Sequence, residues 1–117
     1  MNYIVDIILP NYNSSDTIEK TIRSVMNQSY KNWRLIIVDD NSDLKTKKIL
    51  KKFSNIKKIS IFYNKKNNGA AYCRNLALKN TTSKYIAFID SDDIWKKNKL
   101  KKQINYMNTN KINFSYT

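Results

Sequence analysis

The 117-residue sequence has a single cysteine, a single glutamate and only short apolar runs. Cys73 has no partner for a disulfide within the chain, which agrees with a reducing compartment. No run approaches the roughly eighteen apolar residues of a membrane helix, and residues 1–6 lack the basic start and apolar core of a signal peptide. We therefore expect a cytoplasmic protein.

Proline and glycine are also scarce, with one residue of each. Pro10 follows the β-branched run 4–9 and predicts that a first strand ends at Leu9. Gly69 directly precedes residues 70–78, a segment rich in good helix formers. No linker or repeat divides the chain, and a hydrophobic fraction of 41% with 12% aromatic residues is typical of one globular domain.

Positive charge is in large excess, because 22 lysine and arginine residues face nine acidic ones, for a net charge of +13. Such an excess favours polyanionic partners, namely nucleic acid, anionic lipid or phosphorylated substrates. However, most lysines lie in two stretches, 45–58 and 96–102, where they alternate with apolar residues at helical spacing. This pattern is typical of the solvated face of an amphipathic helix, which we favour over a dedicated binding surface, and nucleic acid is not an expected partner.

Apolar periodicity predicts strands and helices in alternation. Short β-branched and aromatic runs predict strands at 4–9, 33–38, 59–63, 84–89 and 112–116. Helical spacing predicts a first helix ending near Gln28 and further helices over 44–53, 70–78 and 100–107. Asp16 with Glu19, and less completely Ser15 with Ile18, have capping-box spacing at the start of the first helix. The predicted fold class is α/β, an open and mostly parallel sheet with helices on both faces.

The segment Asp90-Ser91-Asp92 follows a strand that we expect to be buried on both faces. Open α/β sheets bind ligands beyond the carboxyl ends of their strands, so a ligand should lie at this segment. Two carboxylates one residue apart, with a third at Asp93, repel one another, and a hard cation such as Mg²⁺ or Mn²⁺ would relieve that repulsion. Alternatively, the acidic segment only turns the chain and caps the next helix.

The carboxyl ends of the first, second and fourth strands should converge in such a sheet. Tyr12 could then lie against a planar base, Asp39 could accept an N–H from it, and Arg74 could donate to the base or to a diphosphate. Each residue also has a purely structural interpretation. Tyr12 could cover an edge of the core, Asp39-Asp40 could cap the second helix, and Arg74 could pair with a nearby acid.

Five segments in order resemble the signatures of family 2 glycosyltransferases, and together they span nearly the whole chain. They are Ile-Leu-Pro-Asn-Tyr-Asn at 8–13, Ser-Val-Met-Asn-Gln-Ser-Tyr-Lys-Asn at 24–32, Ile-Ile-Val-Asp-Asp-Asn-Ser at 36–42, Asn-Gly at 68–69 with Arg-Asn at 74–75, and Asp-Ser-Asp-Asp-Ile-Trp at 90–95. Five ordered motifs are far more specific than any one of them.

The resemblance implies a GT-A fold, of which residues 1–117 form the Rossmann-like part that binds a nucleotide-diphospho-sugar, with UDP as the expected nucleotide. It assigns donor binding to Pro10, Tyr12, Asn13, Asp39, Arg74, Asp90 and Ser91. Within that set Pro10, Tyr12 and Asp39 would contact the base. It further implies Mn²⁺ or Mg²⁺ as cofactor, held mainly by Asp92 with Asp90 near the metal or the ribose.

The reaction implied by the resemblance inverts the anomeric centre, as an acceptor hydroxyl deprotonated by a carboxylate displaces the metal-bound diphosphate. Family members place the acceptor site and this base in a second half, so we expect the base beyond Thr117. The chain would then be the donor-binding part of a longer enzyme, or a short product that binds without transferring. A glycan or lipid-linked saccharide would be the acceptor, with the lysine faces on the inner surface of a membrane.

Four features depart from the family pattern. One is that the proline often found shortly after the tryptophan is missing, where this chain has Lys97 and Asn98. Asn41 stands where glycine is usual, and asparagine tolerates a left-handed backbone better than most residues. Cys73 replaces a small alanine, and Arg34 lies where an acidic residue is common. A phosphoacceptor receiver domain, another fold with paired acids beside a parallel sheet, is disfavoured because its acidic pair follows the first strand, where this chain has Pro10-Asn11.

Overall fold

The computed structural model describes residues 4–110 and 114–116, in which strands and helices alternate. The elements are β1 (Val5–Asn11), α1 (Ile18–Met26), β2 (Trp33–Asp39), α2 (Leu44–Lys51), β3 (Ile59–Tyr63), α3 (Ala70–Lys79), β4 (Tyr85–Phe88), α4 (Lys99–Asn110) and β5 (Phe114–Tyr116). No helix in this described part is long and apolar enough to cross a bilayer. The predicted final strand is confirmed over 114–116, while its first two residues lie outside the described ranges.

The strands form one sheet in the order β3-β2-β1-β4-β5, and all four neighbouring pairs are parallel. From β1 the chain first adds β2 and β3 on one side and then crosses to add β4 on the other. The carboxyl ends of β1 and β4 therefore flank the point at which the winding reverses direction, the position where open α/β sheets bind ligands. The predicted open parallel sheet is confirmed.

Alternate residues along the strands enter two separate cores, as the two-residue period of a strand requires. Odd-numbered residues of β1, β2 and β4 pack with α1, α2 and α4, whereas even-numbered residues pack with α3 on the opposite face. The first core includes Val5, Ile7, Leu9, Ile22, Leu35, Ile37, Leu50, Ala87, Leu100 and Ile104, and the second Ile8, Ile36, Val38, Cys73, Ala77 and Phe88. Helices thus cover both faces, as predicted.

The prediction that β1 ends at Leu9 was wrong, because the strand continues to Asn11. Ile8 accepts a backbone hydrogen bond from Ile89, so Pro10, two residues further on, faces the same neighbouring strand. The ladder between β1 and β4 ends at Ile8, and the N–H that proline lacks therefore has no strand partner to lose. Asn11 instead pairs with β2 and extends the strand on that side.

The predicted capping boxes at the start of α1 were also wrong. The N-cap residue is Thr17, and its side chain makes no capping hydrogen bond. The hydroxyl of Thr17 donates instead to the backbone carbonyl of Ser91, 74 residues away in sequence, at 2.9 Å. A tertiary contact has therefore displaced the local capping pattern.

The amino edge of the sheet holds one buried acid, Asp6, which is fully inaccessible to solvent. Arg34, its register partner on β2, donates to both carboxylate oxygens at 3.0 and 3.1 Å. The backbone N–H groups of Thr82 and Ser83 and the Ser83 hydroxyl add three more hydrogen bonds of 2.8 to 3.1 Å. This pairing gives the departure at Arg34 a structural explanation.

Candidate functional site

A cavity of about 230 Å³ lies at the carboxyl edge of the sheet, between the ends of β1 and β4 and the start of α3. Its lining consists of Pro10, Asn11, Tyr12, Asp40, Ala70, Cys73, Arg74, Asp90 and Ser91. Five predicted donor-binding residues, Pro10, Tyr12, Arg74, Asp90 and Ser91, therefore share one cavity. The reversal of winding between β1 and β4 brings them together, although Pro10 and Ser91 are far apart in sequence.

The side chains at the rim of this cavity differ in accessibility. Tyr12 is half exposed, so part of its side chain is accessible to a ligand. Arg74 lies in the first half of α3 and is partly buried, whereas Asp90 is exposed just after β4. An aromatic surface, a guanidinium and a carboxylate thus line the same space.

Asp39 does not line the cavity and is completely buried at the end of β2. Its carboxylate accepts hydrogen bonds from Asn11 Nδ2 at 2.9 Å, from Ser42 Oγ at 2.5 Å and from Ser42 N–H at 3.1 Å. These bonds hold the turn after β2 against the end of β1. The contact of Asp39 with a nucleotide base stays a prediction.

Asn13 also lies outside the cavity lining and joins the turns that follow β1 and β2. Its backbone N–H donates to Ser42 Oγ at 2.9 Å, and its side-chain oxygen accepts from Asp43 N–H at 2.8 Å. Asn13 and Asn41 both have a left-handed backbone, with φ of 47° and 60°. The expected left-handed backbone at Asn41 is confirmed.

Asp40 is a cavity residue that the sequence analysis did not select. It is buried, and its carboxylate accepts from Asn64 Nδ2 at 2.9 Å, from Asn68 N–H at 2.9 and 3.1 Å and from Gly69 N–H at 2.9 Å. Burial raises the pKa of Asp40, but these hydrogen bonds outweigh it and hold the pKa below its ordinary value. Asp40 therefore fixes the backbone that leads into α3.

Side chains along an extended chain alternate in direction, and this alternation is the sequence signal that could have predicted different environments for Asp39 and Asp40. Successive side chains point to opposite faces, so the first acid turns toward the core with α1 and α2 and the second toward α3. Asp40 lines the cavity and Asp39 does not, although Asn11, the register partner of Asp39 on β1, lines it as well.

Cys73 lines the innermost part of the cavity and is almost fully buried. Burial, together with the negative charge of Asp40, raises the pKa of its thiol to about 11. The side chain is therefore neutral at physiological pH and contributes packing rather than a nucleophile.

The acidic segment after β4 is a turn whose carboxylates are not equivalent. The Asp93 N–H donates to the Asp90 carbonyl at 3.0 Å, and the Asp93 carboxylate accepts from the Asp90 N–H at 3.3 Å. Asp92, between them, is exposed and lies outside the cavity lining. Asp93 therefore closes the turn, and Asp92 takes no part in these two bonds.

The donor set at this turn fits a magnesium or manganese ion that is shared with a ligand. Among the described residues, no group of three or more acidic, cysteine or histidine side chains is close enough to hold a metal alone. Mg²⁺ typically takes one or two carboxylates and completes its coordination with water and phosphate oxygens. Asp92 and Asp90 supply that number of carboxylates.

A wider groove of about 810 Å³ lies elsewhere, between α1 and residues 94–97. Lys20, Arg23, Lys31 and Lys97 make its lining basic. None of the predicted donor or metal residues contributes to it, and it holds neither carboxylates nor strand ends. We therefore place the candidate site in the smaller cavity, where acidic, basic and aromatic side chains converge.

Comparison with known proteins gives consistent results. The family model described as glycosyl transferase family 2 matches residues 6–116. TuaG of Bacillus subtilis (strain 168), a glycosyltransferase named for teichuronic acid biosynthesis, is 45% identical over 115 residues, which cover 97% of this chain and 46% of TuaG. The Escherichia coli protein WfgD, named UDP-Glc:alpha-D-GlcNAc-diphosphoundecaprenol beta-1,3-glucosyltransferase, is also 45% identical over 115 residues, covering 98% of this chain and 45% of WfgD.

Solved structures share the fold. S. aureus TarS 1-349 in complex with UDP-GlcNAc superposes with a TM-score of 0.83 at 28% identity, covering 91% of this chain and 31% of that chain. The mannosyltransferase PcManGT from Pyrobaculum calidifontis, in complex with GDP-Man and Mn²⁺, gives a TM-score of 0.83 at 20% identity, covering 92% and 33%. The present chain therefore has the GT-A fold and spans about half the length of the curated relatives TuaG and WfgD.

Proposed function

Because the chain belongs to glycosyl transferase family 2, we propose that it is the donor-binding part of an enzyme that transfers a sugar from a UDP-sugar to an acceptor hydroxyl with inversion. The observation that carries the proposal is the cavity at the carboxyl edge, which gathers Tyr12, Arg74 and Asp90 from three separate elements. The UDP-GlcNAc in TarS and the UDP-Glc in the name of WfgD support a uridine nucleotide.

We assign the nucleotide to the rim formed by β1 and α3. The exposed ring of Tyr12 offers a stacking surface for the base, with Pro10 beside it in the cavity wall. The guanidinium of Arg74 can donate paired hydrogen bonds to diphosphate oxygens or to the base. Asp39 and Asn13 would complete the donor site from the turns after β2 and β1, and Ser91 is part of the cavity wall.

Asp92, with Asp90 beside it, would hold Mn²⁺ or Mg²⁺. A divalent cation bound there would neutralise the charge that develops on the leaving diphosphate. The exposure of both carboxylates suits an ion that arrives together with the nucleotide.

We further propose that the acceptor site and the general base belong to the region of the family that this chain does not span. The named relatives are about twice as long as the matched segment. The diphosphoundecaprenol in the name of WfgD supports a lipid-linked saccharide as acceptor. The exposed lysines of α2 and of residues 96–102 would bring the protein to the anionic cytoplasmic surface of a membrane.

Calorimetry with UDP in the presence and absence of Mn²⁺ tests the donor assignment. We expect UDP to bind the wild-type chain more tightly with Mn²⁺, and Asp92→Asn to lose that metal-dependent increment because it removes the principal carboxylate. Glu19→Gln is the matched control, since it removes the same charge from a partly exposed position outside the cavity. Equal metal dependence in Asp92→Asn and wild type would refute the metal assignment.

Two other functions make different predictions. A silent nucleotide-sugar module would bind UDP-sugar but neither hydrolyse nor transfer the sugar, so any robust turnover by the chain eliminates it. A polyanion or membrane-surface binder acting through the lysine faces at 45–58 and 96–102 would bind anionic vesicles, with an affinity that falls steeply with salt and does not depend on UDP.

A further inference from the structure

Four polar residues follow one face of α1 from its N-cap, Thr17, to Gln28, two residues past its end. Thr17, Thr21, Ser24 and Gln28 recur at intervals of four, three and four residues, the spacing of one helical face. Thr21 and Gln28 are completely inaccessible to solvent, and Ser24 is nearly so. We call these four residues the polar stripe. Buried polar side chains require hydrogen-bond partners, and theirs are unusual.

The first half of the polar stripe meets the acidic segment after β4. The hydroxyls of Thr17 and Thr21 both donate to the backbone carbonyl of Ser91, each at 2.9 Å. A threonine inside a helix commonly bonds a carbonyl of its own preceding turn, but Thr21 bonds across to another segment. The carbonyl that receives both bonds lies between Asp90 and Asp92 in the chain.

The second half of the polar stripe holds the remainder of the connection to α4. Ser24 Oγ accepts from Trp95 N–H at 3.1 Å. Gln28 Nε2 donates to the Lys96 carbonyl at 2.7 Å, and Gln28 Oε1 accepts from Leu100 N–H at 2.9 Å. The connection from β4 to α4 has no regular secondary structure. These side chains therefore supply hydrogen-bond partners to backbone groups that a strand or helix would otherwise satisfy.

We propose that the polar stripe positions the metal-binding carboxylates, with Thr17 and Thr21 as the residues that set the orientation of Asp90 and Asp92. Two donors on one carbonyl restrict rotation of the Ser91–Asp92 peptide, and the direction of the Asp92 side chain follows from that peptide. The inference rests on the proposed function, because it assumes that Asp92 binds the cation. It adds positioning residues on a helix that contributes nothing to the cavity lining.

The test removes the hydroxyls without changing side-chain size. In the 117-residue chain, Thr21→Val and the double variant Thr17→Val with Thr21→Val should weaken Mn²⁺ binding in the presence of UDP, about tenfold for the double variant, as loss of groups that orient metal ligands typically does. UDP binding without metal should not change. Thr21→Ser keeps the hydroxyl and should restore wild-type Mn²⁺ affinity, a rescue that a change in packing alone would not produce.

Thr46→Val is the matched control for burial. Thr46 is as inaccessible as Thr21 but lies on α2, and its hydroxyl makes no hydrogen bond of ordinary geometry within the described residues. This variant should leave Mn²⁺ affinity at the wild-type value. Should the double variant fail to fold, Thr21→Val compared with Thr21→Ser carries the same comparison.

A second measurement needs no ligand. It distinguishes failure of the positioning role from failure of the proposed function. Amide exchange at Asp93, whose N–H closes the acidic turn, should be about fivefold faster in the double variant, as expected when a hydrogen bond worth about 1 kcal/mol is lost. Unchanged Mn²⁺ affinity in a folded double variant, or failure of Thr21→Ser to rescue, would overturn the positioning role. Faster exchange in a chain whose wild type shows no metal-dependent UDP binding would instead overturn the proposed function.

Discussion

The amino and carboxyl edges of the sheet hold carboxylates in different ways. At the amino edge, buried Asp6 receives a two-point ion pair from Arg34 and further hydrogen bonds from the backbone and a hydroxyl. At the carboxyl edge, the donors recorded for Asp39 and Asp40 are amides, hydroxyls and backbone N–H groups, all of them neutral. Asp90 and Asp92 are exposed there.

The difference indicates which carboxylates serve the fold and which are available to a ligand. A buried charge is costly unless an opposite charge and hydrogen bonds compensate it, and Asp6 has both within the chain. The exposed acids beside the cavity keep their charge in solvent, where a cation from outside can bind them. This contrast predicts different consequences of substitution at the two edges.

The largest effect on stability should come from Arg34→Met, which leaves the Asp6 carboxylate buried without its cation. We expect the free energy of unfolding to fall by about 3 to 5 kcal/mol, as measured by urea denaturation. Arg23→Met is the control, because Arg23 pairs with Glu19 at the surface with 55% of its side chain exposed. That change should cost at most about 1 kcal/mol, and equal losses in the two variants would contradict the comparison.

Asp40→Asn should lower the free energy of unfolding by a smaller amount, about 2 kcal/mol. The reason is that an amide replaces a carboxylate that accepts charge-assisted hydrogen bonds from the Asn68 and Gly69 N–H groups. The loss should depend on pH. The folded-state pKa of Asp40 is lowered from 3.8, so its stabilisation is fully present above that pH and is lost as the pH falls through the folded value.

Urea denaturation of wild type and Asp40→Asn across a pH series tests this pH dependence. The difference between their free energies of unfolding should be constant from neutral pH down to about pH 5 and should become smaller in more acid solution. A gap that widened on acidification would mean that Asp40 is stabilised in its protonated form, against the hydrogen bonds that it accepts.

The smallest effect on stability should come from Asp92→Asn, although the same variant should lose metal-dependent UDP binding. Its side chain is exposed and is not needed to close the acidic turn, so the free energy of unfolding should change by no more than about 0.5 kcal/mol. Relief of repulsion from Asp90 and Asp93 would make any change slightly stabilising. A loss comparable to that of Arg34→Met would show that Asp92 serves the fold rather than a ligand.

Local patterns predicted the elements well where the physical cause is local. The bounds predicted for β3, 59–63, are those of the structure, and α3 begins directly after Gly69 as expected. The parallel order follows from the alternation of strands with helices, because each helix returns the chain to the same edge. Five predicted site residues share the cavity for the same reason.

The failures concern contacts between distant segments. Ser15 and Asp16 have the residue types of a helix cap, but Thr17 occupies the cap position, and its hydroxyl bonds the distant Ser91 carbonyl. Pro10 predicts the end of a strand, yet β1 continues through it. The ladder between β1 and β4 ends at Ile8, so the N–H that Pro10 lacks would have had no partner there.

Spacing and hydrophobicity along the chain were sufficient to determine the α/β class, the order of elements and the acidic, aromatic and basic residues at the strand ends. Which of those residues meet was decided only by the tertiary structure. Asp39 and Asp40 are adjacent in sequence, but the first is buried against Asn11 and Ser42 at the end of β2, whereas the second, just past that end, lines the cavity. Hydrogen bonds between segments some seventy residues apart hold the acidic turn, and no local pattern records them.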